Sequence, residues 1–138
     1  QILRFLDHFF LLMYIPYLIY KAFGDFMKVY AQALDLKNDE KSIAEYEEYH
    51  RNVWPEVLEA LKAMGVIRMR IFRVNERLFM FMETEDNFDS SRFSKYTEQN
   101  SKAKEWDNLM KTYQKQIPDP KGDWWSAMTL AFDSEWFN

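Results

Sequence analysis

The chain has 138 residues, 18% of them aromatic, a formal net charge of −4 and no cysteine. That length fits one domain with a real hydrophobic core. The acidic balance argues against a nucleic-acid partner, which would call for a basic stripe. The missing cysteines exclude disulfide frameworks and thiolate metal sites, and fit a reducing, cytoplasmic setting.

Residues 1–26 differ from the rest of the chain. From Phe9 to Tyr20 the chain is uncharged (FFLLMYIPYLIY) and is interrupted by Pro16. A spanning helix needs about 20 apolar residues, so this run is too short to cross a bilayer. Neither a basic cluster before it nor a small-residue cleavage site after it marks a signal peptide. The preferred reading takes 1–26 as an apolar extension upstream of Met27, and 27–138 as the domain. A short amphipathic helix packed on the domain and a weak membrane-surface anchor stay open as alternatives. Membrane contact is expected only if 1–26 is native and exposed.

Lys28–Leu36 alternates as a first strand and ends at the turn-prone Lys37-Asn38-Asp39. Lys41–Arg51 is helical, with Asp39 or its neighbours available to cap it. Pro55 breaks the helical run, because it disfavours a helical Trp54 and suits the first turn of a second helix over Pro55–Met64. Gly65 closes that helix. Val66–Val74 and Arg77–Thr84 form a hairpin around Asn75-Glu76. Helices are predicted over Phe88–Gln99 and Lys102–Tyr113. Pro118 to Gly122 is a breaker, and Trp125–Asp133 is predicted as the final strand. This order predicts an α+β, ferredoxin-like fold: a four-stranded antiparallel sheet with its helices on one face. Both alternating sets of Leu78–Met82 are apolar, so both sheet faces need cover. The helices cover one; a second subunit is expected on the other, in a homodimer.

Most site chemistries fail on composition. Three glycines (Gly24, Gly65, Gly122) form neither phosphate-cradling loop. No H-x-x-x-H or cysteine cluster offers a metal site, and His8 and His50 lie far apart in the chain. Glu45, Glu47 and Glu48 read as a solvated helix face. What survives is cofactor-free acid–base work at His50, a group that titrates near neutrality. Tyr46 lies one helical turn before it, on the same face. A positioned acid–base group contributes about 10²–10⁴-fold, which suits an easy proton-transfer isomerisation and not the hydrolysis of a stable amide. The residues alone leave a bland alternative, a small α+β dimer that binds a ligand without catalysis. They equally allow His50 as an idle histidine, Trp106 as a packing residue, and Arg68 and Arg70 as a solvated or ion-paired couple.

The run Glu45-Tyr46-x-x-x-His50-x-x-Val53-Trp54-Pro55-Glu56 resembles the signature of the L-rhamnose mutarotase family. The resemblance continues through Leu61-Lys62-x-x-Gly65, Leu78-Phe79, Glu105-Trp106-x-x-Leu109-Met110 and Trp125-x-x-Met128-x-x-x-Phe132, covering roughly 28–133. It implies a homodimeric α+β barrel that interconverts the anomers of a 6-deoxy-L-sugar. It also implies His50 as proton donor, Tyr46 as a sugar contact and Trp106 as a wall of the site. Two positions depart from the family pattern: Met69 stands where a tyrosine is expected, and Asp107 replaces the second of two tryptophans. These departures bear on which sugar is bound. The Arg-Met-x-Ile-x-Arg and Arg-Leu-Phe-Met-x-Met-Glu wording resembles an L-fucose-associated branch, and Arg70 is a candidate replacement for a lost hydrogen bond. A non-catalytic module on the same fold and a cofactorless oxygenase are the competing classes.

Overall fold

The computed structural model describes residues 27–119 and 121–137. The apolar run predicted as an N-terminal extension lies outside them.

Strand β1 spans Met27–Leu36 and is followed by helices α1 (Glu40–Arg51) and α2 (Pro55–Ala63). Strands β2 (Val66–Val74) and β3 (Arg77–Glu85) form the hairpin, and helices α3 (Ser91–Gln99) and α4 (Ser101–Tyr113) follow. Two short strands, β4 (Gln114–Lys115) and β5 (Ser126–Ala127), precede a 3₁₀ turn at Ser134–Phe137. The sheet runs β2-β3-β1-β4 and is antiparallel throughout, with β5 also against β1. It is the ferredoxin-like α+β arrangement expected.

Local chemistry explains the boundaries. The Asp39 carboxylate accepts from Ser42 N at 2.8 Å and caps α1. Trp54 is extended (φ −62°, ψ 136°) because Pro55 follows it, and that one residue turns the chain from α1 into α2. Gly65 adopts φ +94°, and a Cβ there would stand 3.1 Å from Glu85 Oε2. Only glycine takes this turn without strain.

One sheet face carries the core. Leu34, Leu36, Leu78, Met80 and Met82 are buried there beneath the helices. One cluster gathers Leu36, Tyr46, Leu78, Trp106 and Met110, and a second gathers Met64, Val66, Met82 and Phe88.

Three expectations need correction. Phe88 is not helical. It is buried against Tyr30 and Phe93, and the Asp89 carboxylate accepts from Ser91 N at 3.0 Å, so the helix starts later. The final strand over Trp125–Asp133 shrinks to Ser126–Ala127. After Met128 N donates to Ala31 O the pairing ends; Leu130 stays exposed, and Phe132 meets the rings of Trp136 and Phe137 instead of the sheet. The fourth place in the sheet is instead shared by two pieces, Gln114–Lys115 beside Asp35–Leu36 and Ser126–Ala127 beside Gln32–Ala33.

Candidate functional site

The last two turns of α1 carry Tyr46 and His50 onto the helix-covered face of the sheet. Their rings stack at 4.1 Å between centroids, tilted by 31°. His50 Nδ1 lies 2.9 Å from the Tyr46 backbone carbonyl oxygen. A carbonyl only accepts, so Nδ1 bears the proton, and in the neutral ring Nε2 keeps its lone pair. Burial lowers the His50 pKa from its ordinary 6.5, with the bond to the Tyr46 carbonyl opposing the shift. The imidazole is therefore neutral at pH 7. Burial pushes the Tyr46 phenol far up, so it holds its proton across the physiological range.

From α4, Trp106 meets the same group edge-on: its ring lies 5.4 Å from His50, 5.3 Å from Trp54 and 6.1 Å from Tyr49. Trp106 is 9% exposed and belongs to the core, so it is both packing and wall.

These side chains border a cavity of about 430 Å³ between the helices and the sheet. Its walls include Tyr46, His50, Met69, Trp106, Asp107, Gln114 and Trp125. Mostly apolar walls with a few convergent polar groups suit a small organic ligand. A second, smaller hollow of about 280 Å³ shares Tyr46, His50 and Ile71 with the first and is edged by Glu47, Arg51 and Arg73. His50 borders both. Arg73 Nε donates to Glu47 Oε1 at 2.6 Å, which ties α1 to β2 and sets the height of the catalytic-looking turn above the sheet. The acidic run Glu45, Glu47 and Glu48 is thus an ion-paired helix surface, with Arg51 reaching Glu48 at 3.0 Å.

Arg70 is displaced from this group. It pairs in register with Phe81, on the face away from the helices, and is exposed. Met69, Ile71 and Arg73 hold the inward positions of β2, so Arg70 does not reach the cavity. The two-residue alternation of Met69 with Ile71 already carried that signal.

Two cavity residues escaped the sequence reading. Gln114 follows Trp106 and Met110 at four-residue steps, which puts it on their side of the chain, and it is 7% exposed. Its Oε1 accepts from Trp124 Nε1 at 2.7 Å. Asp107, seen only as a departure from a pattern, stands at the rim with Lys111 Nζ at 2.8 Å.

Comparison with known proteins adds independent findings. A family model described as L-rhamnose mutarotase matches residues 29–134. A UPF0734 protein of Dictyostelium discoideum is 51% identical over 115 residues, covering 80% of this chain and 92% of that protein. An L-fucose mutarotase of Xanthomonas campestris is 33% identical over 102 residues, covering 72% of this chain and 82% of its own. Among solved structures, an L-rhamnose mutarotase of Formosa agariphila superposes with a TM-score of 0.57 at 23% identity, covering 77% of this chain and 97% of that one. At that identity the likeness speaks for the fold.

Proposed function

The chain belongs to the L-rhamnose mutarotase family, and from that premise we propose that it interconverts the α and β anomers of a 6-deoxy-L-hexopyranose, L-fucose or L-rhamnose. The observation that carries the reading is the His50 imidazole, anchored at Nδ1 and left with a free Nε2 lone pair beside a cavity.

Anomer exchange needs a proton taken from the anomeric hydroxyl and a proton given to the ring oxygen. Both oxygens sit on C1, within reach of one imidazole. His50 Nε2 takes the O1 proton; the C1–O5 bond breaks as C1=O1 forms; and the imidazolium delivers that proton to O5. Rotation about C1–C2 and the reverse steps close the other anomer. His50 is proton donor in this scheme and also the base. The Tyr46 phenol donates a hydrogen bond to a sugar oxygen during transfer, and the Trp106 ring packs on the sugar's C–H face. The exchange requires no change of oxidation state and no carrier, so the scheme uses no cofactor. A small sugar chemistry of this kind fits a cytoplasmic setting, and among the described residues no helix is long and apolar enough to cross a membrane.

The test is saturation-transfer NMR of L-rhamnose, L-fucose and D-galactose side by side. Exchange accelerated for a 6-deoxy-L-sugar and not for D-galactose is the expected result. Sugar binding without acceleration would instead mean a non-catalytic module.

The protein is also proposed to work as a homodimer. Val29, Phe72 and Val74 lie exposed on the sheet face away from the helices, with Phe79 and Phe81 half-buried among them, and Met128, Leu130 and Phe132 are exposed in the segment after β5. Large apolar side chains exposed together on one sheet face mark an interface. Light scattering should give twice the chain mass, and Phe72→Glu should shift it to the single chain. A monomeric wild type would exclude the assembly.

A further inference from the structure

We propose that the cavity takes a 6-deoxyhexose carrying an apolar ether or ester group on the ring edge away from its anomeric carbon, and seats that group in an apolar arm walled by α2, α3 and the start of α4. The inference deepens the mutarotase reading, and rests on it for the placement of C1 at His50.

The larger cavity reaches well beyond its polar end. It is walled by Tyr46, Trp106 and Met110 of the first core cluster, and continues to Met64 of the second, on which Leu61, Met69 and Phe93 pack. The polar groups keep to the first part: Tyr46 is in that cluster, His50 stacks on it, and Gln114 pairs with Leu36 of the same cluster. The second part is hydrocarbon and thioether: Leu61 on α2, Met64 at its end, Met69 on β2, Phe93 on α3 and Ala103 in the first turn of α4. Thr97 brings the one hydroxyl among these walls, and it donates to the Phe93 carbonyl of its own helix. Its proton is spent inside α3.

Size points the same way. A 6-deoxyhexose fills roughly 200 Å³ at the packing density of organic crystals, against about 430 Å³ for the cavity. With O1 and O5 held at His50 Nε2, the opposite edge of the ring is C3–C4, so O3 and O4 are directed away from the polar end. A bare hydroxyl sent into the arm gives up water for walls that return no hydrogen bond, which weakens binding. An alkyl or acyl group on that oxygen buries apolar surface against apolar surface instead. Met64 and Met69 suit such a guest, because unbranched thioether side chains adapt to groups of differing shape.

The probes are the 2-O-, 3-O- and 4-O-propyl ethers of L-fucose and L-rhamnose beside the free sugars, with Kd read by isothermal titration calorimetry and anomer exchange by saturation-transfer NMR. Each methylene buried in the arm should tighten binding about fourfold. After the cost of ordering the chain, the better of the 3-O- and 4-O-propyl ethers should bind about tenfold tighter than its free sugar, with kcat little changed because the reacting atoms are untouched. The 2-O-propyl ether, whose chain starts beside C1, should gain nothing. Ala103→Leu and Thr97→Leu each narrow the arm from a different helix, and in either variant the ratio of ether to free-sugar affinity should fall to about one. Ethers that bind no tighter than the free sugar overturn the proposal, as does a gain shared equally by the 2-O-propyl ether, or one that survives both substitutions. Calorimetry needs no turnover. Tighter 3-O- or 4-O-ether binding by a protein that accelerates no exchange would sink the mutarotase reading and leave the arm standing.

Discussion

Replacing His50 with glutamine should lower enzyme-accelerated anomer exchange by about 10²–10⁴-fold, toward the rate of the sugar in buffer. The size follows from what else is present. Of the titratable groups bordering the larger cavity, the Tyr46 phenol is driven up by burial and Asp107 is engaged with Lys111. The neutral imidazole is thus the group equipped both to take and to return a proton at pH 7. Glutamine fills similar space and can still donate to the Tyr46 carbonyl, so circular dichroism and melting should report an intact fold. Wild-type exchange in a folded His50→Gln variant would remove the assigned role.

The same imidazole sets the pH dependence. Its folded-state pKa lies below 6.5, whereas in the unfolded chain it takes the ordinary value. Exchange should be level above pH 7 and fall on the acid side with an inflexion below 6.5, where protonation removes the Nε2 lone pair. Stability moves in the same direction. Below pH 6.5 the unfolded chain binds the His50 proton more readily than the folded one, so the contribution is complete above 6.5 and lost as pH falls toward the folded-state value. In the His50→Gln variant that part of the acid destabilisation should vanish from a melting-temperature profile.

Local patterning made much of this molecule legible. The Asp39 cap, the Trp54-Pro55 joint and the Gly65 stop depend on neighbours within four residues, and each stands where the sequence placed it. Tyr46 and His50 were brought together by helical periodicity alone. What failed was non-local. Trp125–Asp133 alternates well enough for a strand, but a strand exists only where a partner offers hydrogen bonds, and β1 engages it only as far as Met128. Phe88 has helical company in sequence yet is held by Tyr30, nearly sixty residues earlier in the chain. Gln114 reads as an ordinary polar residue at a helix end. Its place in the cavity wall comes from Trp124, across a breaker, whose indole N–H donates to its side-chain oxygen. Arg70 stands on the opposite sheet face: chemical suitability recommends it, but the alternation of β2 decides the face on which it is presented.

Trp106→Ala should destabilise the fold by about 3–5 kcal/mol and weaken sugar binding at the same time. The indole is 9% exposed and packs in one cluster with Leu36, Tyr46, Leu78 and Met110, so truncation leaves a cavity that several elements would have to collapse to fill. Against a total stability of roughly 5–15 kcal/mol for a domain, that loss should lower the melting temperature by roughly 10–25 °C. Trp106→Phe separates the two roles. A phenyl ring retains much of the packing against Trp54 and Tyr49, so the melting temperature should recover most of the loss. It offers a smaller face to the sugar and sits differently beside His50, so KM should stay raised, by several-fold, while kcat changes less. A phenylalanine variant with wild-type KM would show that the indole only fills the core. One with wild-type KM and a lowered kcat would show that it acts by holding the imidazole, 5.4 Å away, and not by touching the sugar.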